Sequence, residues 1–180
     1  EKIWLKSYPE GVPHDVDPGQ YRSLTQLLEE SFRKNASRPF SVCMDRWMSY
    51  RQLDELSTAL GAWLQAQGLE PGARVAIMLP NIPQFAVTMA AVLRAGYTCV
   101  NVNPLYTARE LEHQLKDSGA TAIVILENFA KTLEEVIEKT PVKHVVMASM
   151  GDLLGFWYGN WIAFAVRHLA KMVPAYKLPL

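Results

Sequence analysis

The chain has 180 residues, 49% hydrophobic and 20% charged, the make-up of a globular domain rather than of a disordered segment. Its 18 basic side chains are matched by 18 acidic ones, so no basic excess marks it as a nucleic-acid binder. Cys43 and Cys99 lie in apolar or strand-like runs, as two buried thiols of a reduced cytosolic protein would, although a disulfide between them stays open; the opening EKIWLKSYPEGVP holds no apolar run of signal-peptide length.

Residues 1–22 are rich in Pro, Gly and Asp without a period, and they read as an extended lead packed over a surface, with Trp4 and Tyr8 as anchors. A first helix is expected over 23–35, with Ser23 and Gln26 at capping-box spacing and Leu24, Leu27, Leu28, Ser31 and Phe32 on one face. PFSVCMDRWMSY then suggests a small hairpin turning at Asp45-Arg46. Ser49 and Gln52 cap a second helix that runs to about Gln67, carries Leu53, Leu56, Leu60, Trp63 and Leu64, and ends at Gly68.

From Ala73 the pattern changes. The runs ARVAIML, YTCVNV, TAIVIL and KHVVMAS are apolar without alternation, and helical stretches at 82–95, 108–118 and 129–139 separate them. Strands apolar on both faces belong to a parallel sheet covered by helices on both sides. The stretch Arg94–Gly119 shows the unit most clearly: a turn at Gly96, a short strand stopping at Asn103-Pro104, then a helix capped by Thr107 and Glu110 and ended by Gly119. Tyr106 and Leu111 flank that cap as a staple pair. The fold class is α/β, a mostly parallel sheet with helices on both faces, over an α/β subdomain of residues 1–150.

Ligands of open parallel sheets sit outside the carboxyl ends of the strands, where this chain carries Asn81, Asn103 and Asn128. Asn also favours caps and turns, and Asn81 has Gln84 three residues on, so a structural role is the stronger reading. Glu110 and His113 form a single Glu-x-x-His pair, whereas di-iron bundles need two such motifs and two more glutamate-bearing helices. No Gly-x-Ser-x-Gly elbow, Walker-type Gly-Lys-Ser/Thr or Gly-x-Gly-x-x-Gly is present.

The stretch NVNPLYTARELEHQLKDSGA, supported by KIWLKSYPEGVP, MLPNIPQFAVTMAAVLRAG and KMVPAYKLP, resembles the adenylate-forming ligases, and within them the bacterial long-chain fatty-acid–CoA ligases. The resemblance covers the whole chain and implies about the first third of such an enzyme, the N-terminal portion of its large domain. It implies ATP, Mg2+ and CoA as cofactors and a long-chain fatty acid as substrate of the full-length protein, with none of the cofactors bound to this portion. The phosphate-gripping loop, metal-binding acids, ribose-binding Asp and catalytic Lys are expected beyond Leu180, leaving no catalytic, cofactor or metal residue here. Two alternatives stand beside it: a ligase of the same superfamily acting on another carboxylic acid, and a non-catalytic α/β module that binds a membrane or a partner through the 153–173 helix. A homodimer is compatible with the sequence.

The tail, residues 151–180, departs from the α/β rhythm. Leu153–Val166 carries no charge and is too short for a membrane span, but suits an interfacial or buried helix. Gly151, Gly155 and Gly159 recur every four residues and would let another helix approach. A helix over 153–173 would place Asn160, Arg167 and Lys171 on a narrow ridge opposite Tyr158, Ile162, Leu169 and Met172. Trp157, Trp161 and Phe164 with Arg167 and Lys171 would then meet a membrane peripherally, at the cytoplasmic face of the cell membrane. Docking of the same helix on further parts of a longer enzyme predicts equal apolar exposure.

Overall fold

A computed structural model describes residues 2–178; Glu1 of the lead and Pro179 and Leu180 of the tail lie outside the described residues. The elements are α1 (Leu24–Asn35), β1 (Pro39–Cys43), β2 (Arg46–Ser49), α2 (Tyr50–Ala66), β3 (Arg74–Met78), α3 (Pro83–Arg94), β4 (Thr98–Asn101), α4 (Ala108–Ser118), β5 (Ala122–Leu126), α5 (Ala130–Glu134), β6 (His144–Ala148) and α6 (Phe156–Phe164). Strands β4-β3-β5-β6 form a four-stranded sheet, parallel throughout, and β1 and β2 form a separate antiparallel hairpin.

Alternation along the strands splits the core in two. Ala76, Met78, Ile123 and Ile125 meet Leu111 and Leu115 of α4 and Leu133 of α5, while Val75, Ile77, Ala122, Val124 and Leu126 meet Leu64 of α2 and Val92 of α3 on the other face. Helices therefore cover both faces, as runs without alternation require. A third cluster, around Phe32, Met48, Leu53, Val87 and Ala90, joins α1 and the hairpin to the pair α2 and α3. Arg94 clamps that junction: its Nε lies 2.7 Å from Glu29 and its Nη1 2.8 Å from Asp54, with a further donation to the Ser57 hydroxyl.

The helix starts follow local chemistry. Full capping boxes close α2 at Ser49–Gln52 and α4 at Thr107–Glu110, and Gly119 takes the left-handed conformation that ends α4. Tyr106 and Leu111 pack into one cluster as a staple requires. At α1 the box is half made, because the Gln26 side chain accepts from the Arg22 N–H rather than from that of Ser23.

Several expectations change. The hairpin turns at Met44-Asp45, both with positive φ (48° and 58°), one residue before Asp45-Arg46, because a two-residue turn of this hand matches the twist of its strands. Trp4, Tyr8, Leu24 and Trp63 are exposed rather than packed, and the lead is a short 3-10 turn at Ile3–Ser7 held by a Lys2–Asp15 ion pair. Ile82, not Asn81, is the N-cap residue of α3, whose first position is Pro83. The stretch expected as a helix over 129–139 breaks into α5 and a 3-10 turn at Ile137–Lys139.

The tail differs most. Its helix begins at Phe156, not 153, because Gly155 at φ 86° sets the entry, and after Phe164 it loosens into a π-helical turn, Ala165–Leu169. Lys171, with φ 53°, stands beyond the helix end. Gly151 and Gly159 lie against each other, and a side chain on either would collide with the other's carbonyl. The close approach foreseen for a neighbouring helix is made within the tail itself.

Candidate functional site

The carboxyl ends of the strands carry a polar cluster built from four elements. Glu127 follows β5, whose five residues are all buried, and it stays inside with 1% of its surface exposed. Its Oε2 accepts from Arg167 Nε at 2.7 Å and faces Nη2 at 2.6 Å, which ties the π-helical turn to the sheet. The buried Gln84, on the first turn of α3, donates through Nε2 to the Ser149 carbonyl at 2.7 Å, and the Ser149 N–H donates to Asp152 Oδ2 at 2.6 Å.

Burial pushes the Asp152 carboxyl above the usual range, and the neighbouring Glu127 charge adds to the rise, against the opposing Ser149 N–H and Arg167. Glu127 Oε1, Gln84 Oε1 and Asn128 Oδ1 are buried acceptors with no donor among the described residues. Such atoms carry the cost of lost hydration and mark the edge as an unfinished polar surface.

The three asparagines do not converge. Asn81 and Asn103 are exposed, and Asn103 closes a turn by accepting the Leu105 N–H, whereas Asn128 donates to the Met172 carbonyl at 3.1 Å and so pins the end of the tail. Glu110 is committed to the α4 cap, where the Thr107 N–H and hydroxyl hold its carboxyl below the usual range, so it has no free oxygen pair to share with His113. Among the described residues no three His, Cys, Asp or Glu side chains gather as metal ligands. Both cysteines are free thiols.

The residues proposed from sequence to meet a membrane fall into two groups. Phe156, Trp157, Trp161 and Phe164 present rings to solvent on α6, with Trp157 85% exposed and Trp161 stacked on Phe164. Arg167, in contrast, turns inward to Glu127, so the ridge of Asn160, Arg167 and Lys171 does not form. Tyr158 faces inward beneath Arg46 of the hairpin, 5.1 Å from ring centroid to guanidinium, whereas Leu169 and Met172 are exposed. No described helix is long and apolar enough to cross a membrane. Glu127 escaped the sequence reading, and Gln84 was read only as a cap partner of Asn81. The available signal was position, since the first polar residue after a strand buried on both faces is still inside; the partner 40 residues away leaves no local trace.

The profile of one family, described as AMP-binding enzyme, matches residues 28–158, from α1 to the first turn of α6. The chain belongs to the AMP-binding enzymes. Within the family it is 49% identical over 180 residues to the long-chain-fatty-acid–CoA ligase of Escherichia coli O157:H7, covering 99% of this chain and 32% of that protein. The chain thus spans about a third of the length of the curated relatives it matches. The crystal structure of a long-chain-fatty-acid-CoA ligase from Archaeoglobus fulgidus superposes with a TM-score of 0.64 at 25% identity, covering 78% of this chain and 29% of that one. An anthranilate CoA ligase in complex with anthranoyl-AMP shares the fold at TM-score 0.68 and 22% identity, covering 79% and 27%. The AMP-binding enzyme fold here is accordingly the two-sided parallel sheet, with its carboxyl edge open where the Glu127–Arg167 pair stands.

Proposed function

We propose that the chain is the N-terminal portion of a long-chain fatty-acid–CoA ligase, an enzyme that uses ATP and Mg2+ to form an acyl-adenylate and then passes the acyl group to CoA. The observation that carries this reading is the 49% identity sustained over 180 residues with a ligase of that activity. On this reading the portion contributes scaffold. Its sheet presents a rigid carboxyl edge to which the remaining parts of the enzyme bring the phosphate donors, the metal ligands and the acyl-transfer groups, since adenylation needs preorganised charge on the phosphates and a clamp on the leaving pyrophosphate.

A chimera tests it. With this chain in place of the matching third of the Escherichia coli O157:H7 ligase, oleoyl-CoA is expected from oleate, ATP and CoA, while the 180-residue chain alone releases no pyrophosphate. A folded chimera inert with oleate but active on an aromatic acid would transfer the reading to another acid. Pyrophosphate release by the chain alone would overturn the division of labour.

Peripheral attachment to the cytoplasmic face of the membrane is part of the same reading, favoured by the exposed rings of Phe156, Trp157, Trp161 and Phe164. Arg167 is spent on Glu127, so the electrostatic share falls to Lys171, exposed just beyond the helix. Co-sedimentation of the chimera with anionic vesicles is expected to weaken with Trp157→Ala plus Trp161→Ala, and to a smaller extent with Lys171→Glu. Arg167→Glu should instead loosen the tail. A chimera that ignores vesicles would assign the aromatic face to contacts inside the enzyme.

A further inference from the structure

The amino end of the sheet, remote from the edge described above, carries a second constellation. Val75 pairs in register with Ala122, and Ala122 with His144; one residue earlier on the same three paths, Arg74, Thr121 and Lys143 stand side by side. Residues two further along, Ala76, Ile123 and Val145, all pack on the side of α4 and α5, which fixes the shared face of the row. Main-chain bonds hold it: Thr121 N–H donates to the Arg74 carbonyl at 3.0 Å, and the Thr121 carbonyl accepts from the Lys143 N–H at 2.8 Å. With strands about 4.8 Å apart, two cations flank one hydroxyl at nearly equal spacing.

The row opens into a cleft of about 380 Å³, lined by the loop 68–73 and by Arg74, Gly119, Thr121, Lys143 and His144. The Arg74 guanidinium lies against Gly119, its Nη1 3.8 Å from where a Cβ would stand. Thr121 Oγ1 is screened from solvent and meets no hydrogen-bond partner among the described residues. Neither Arg74 nor Lys143 has a carboxylate at ion-pair distance among those residues, and Glu70 is the one acid lining the cleft. Gly68 and Gly72, both at positive φ, shape the loop that forms one wall of the cleft.

We propose that this cleft binds a phosphate group, held between the Arg74 guanidinium and the Lys143 ammonium with the Thr121 hydroxyl donating to a third oxygen. A forked guanidinium, a point cation and a neutral donor suit a doubly charged tetrahedral oxyanion better than a carboxylate, which offers two acceptor oxygens in one plane. The strands are five residues long, so the cleft stands about 16 Å from the carboxyl edge and is separate from the site proposed for adenylation. It holds whether or not the ligase reading does.

Amide NMR on the 180-residue chain tests this with inorganic phosphate, sulfate and acetate as probes. Phosphate should give saturable shifts at Gly119, Thr121 and His144, sulfate should compete, and acetate should not. Arg74→Gln plus Lys143→Gln is expected to weaken binding about tenfold or more, and Thr121→Val less, with circular dichroism unchanged, while Lys143→Arg retains it. A parallel arm with phosphatidic acid vesicles separates the sources. Sedimentation lost in the double variant assigns a lipid headgroup, and saturable phosphate binding without a vesicle effect assigns a soluble phosphate ester. Linear, non-saturating shifts together with vesicle binding equal in wild type and double variant would overturn the proposal.

Discussion

Glu127 keeps a charge in the core because Arg167 reaches it from the tail, and each depends on the other. Truncating one partner of a buried pair leaves an uncompensated charge, whereas replacing both by apolar groups is far milder. Arg167→Ala is therefore expected to lower unfolding stability by about 2–4 kcal/mol in urea denaturation, less than for a fully enclosed arginine because its side chain is half exposed, and Glu127→Leu with Arg167→Leu should recover most of that loss. Cys99 supplies a pH test. Burial pushes its thiol up to about 11, so the folded chain holds a proton that the unfolded chain releases from about pH 9. Its contribution is complete below that pH and lost on rising to 11; melting followed over this window should show a decline of about 1 kcal/mol, reduced by solvent at a half-buried site and abolished in Cys99→Ala. Glu127 did not announce its state in the sequence, since its partner lies 40 residues away, whereas Cys99 was already legible as a buried thiol from its apolar run.

At the scale of elements, the tail is held by a backbone approach between Gly151 and Gly159. In an unpacked helix Gly159→Ala would stabilise by about 1 kcal/mol through helix propensity alone. Against the Gly151 carbonyl it should instead cost about 2–3 kcal/mol, as overpacking does, so the sign of the change in melting temperature decides whether α6 is docked as described. Legibility followed the local chemistry. The helix from Ser49 and the one from Thr107 were placed by their capping boxes and ended by their glycines, all of which act within four residues. The tail helix was overextended at both ends, because Gly155 was read as a contact residue when it is a start signal, and a π-helical turn has no clear pattern in sequence. The polar edge was legible in its place and only partly in its members: strand ends pointed to Asn81, Asn103 and Asn128, of which Asn128 alone joins the edge, while burial added Gln84 and Glu127.

For the whole molecule, the four central strands were readable because a run such as Ala122–Leu126, apolar on both faces, has one stable setting, between two layers of helices. Their order was not, since nothing in β3 records that it will take β4 on one side and β5 on the other. Hydrogen exchange should rank accordingly, with β3 and β5 most protected, β4 and β6 less, and the lead with its exposed Trp4 and Tyr8 least; equal protection of the lead and β5 would contradict the architecture. The order β4-β3-β5-β6 also bears on how the chain comes together in time. The first of these strands in the chain is an interior one, its two neighbours are the next two to appear, and each later strand finds its partner already in place. Assembly can thus run outward from β3 during synthesis, each new strand adding to an edge already formed. Ile77→Val in β3 should then slow refolding, whereas Val146→Ala in the last strand should chiefly hasten unfolding, leaving the newest edge as the part that comes away first.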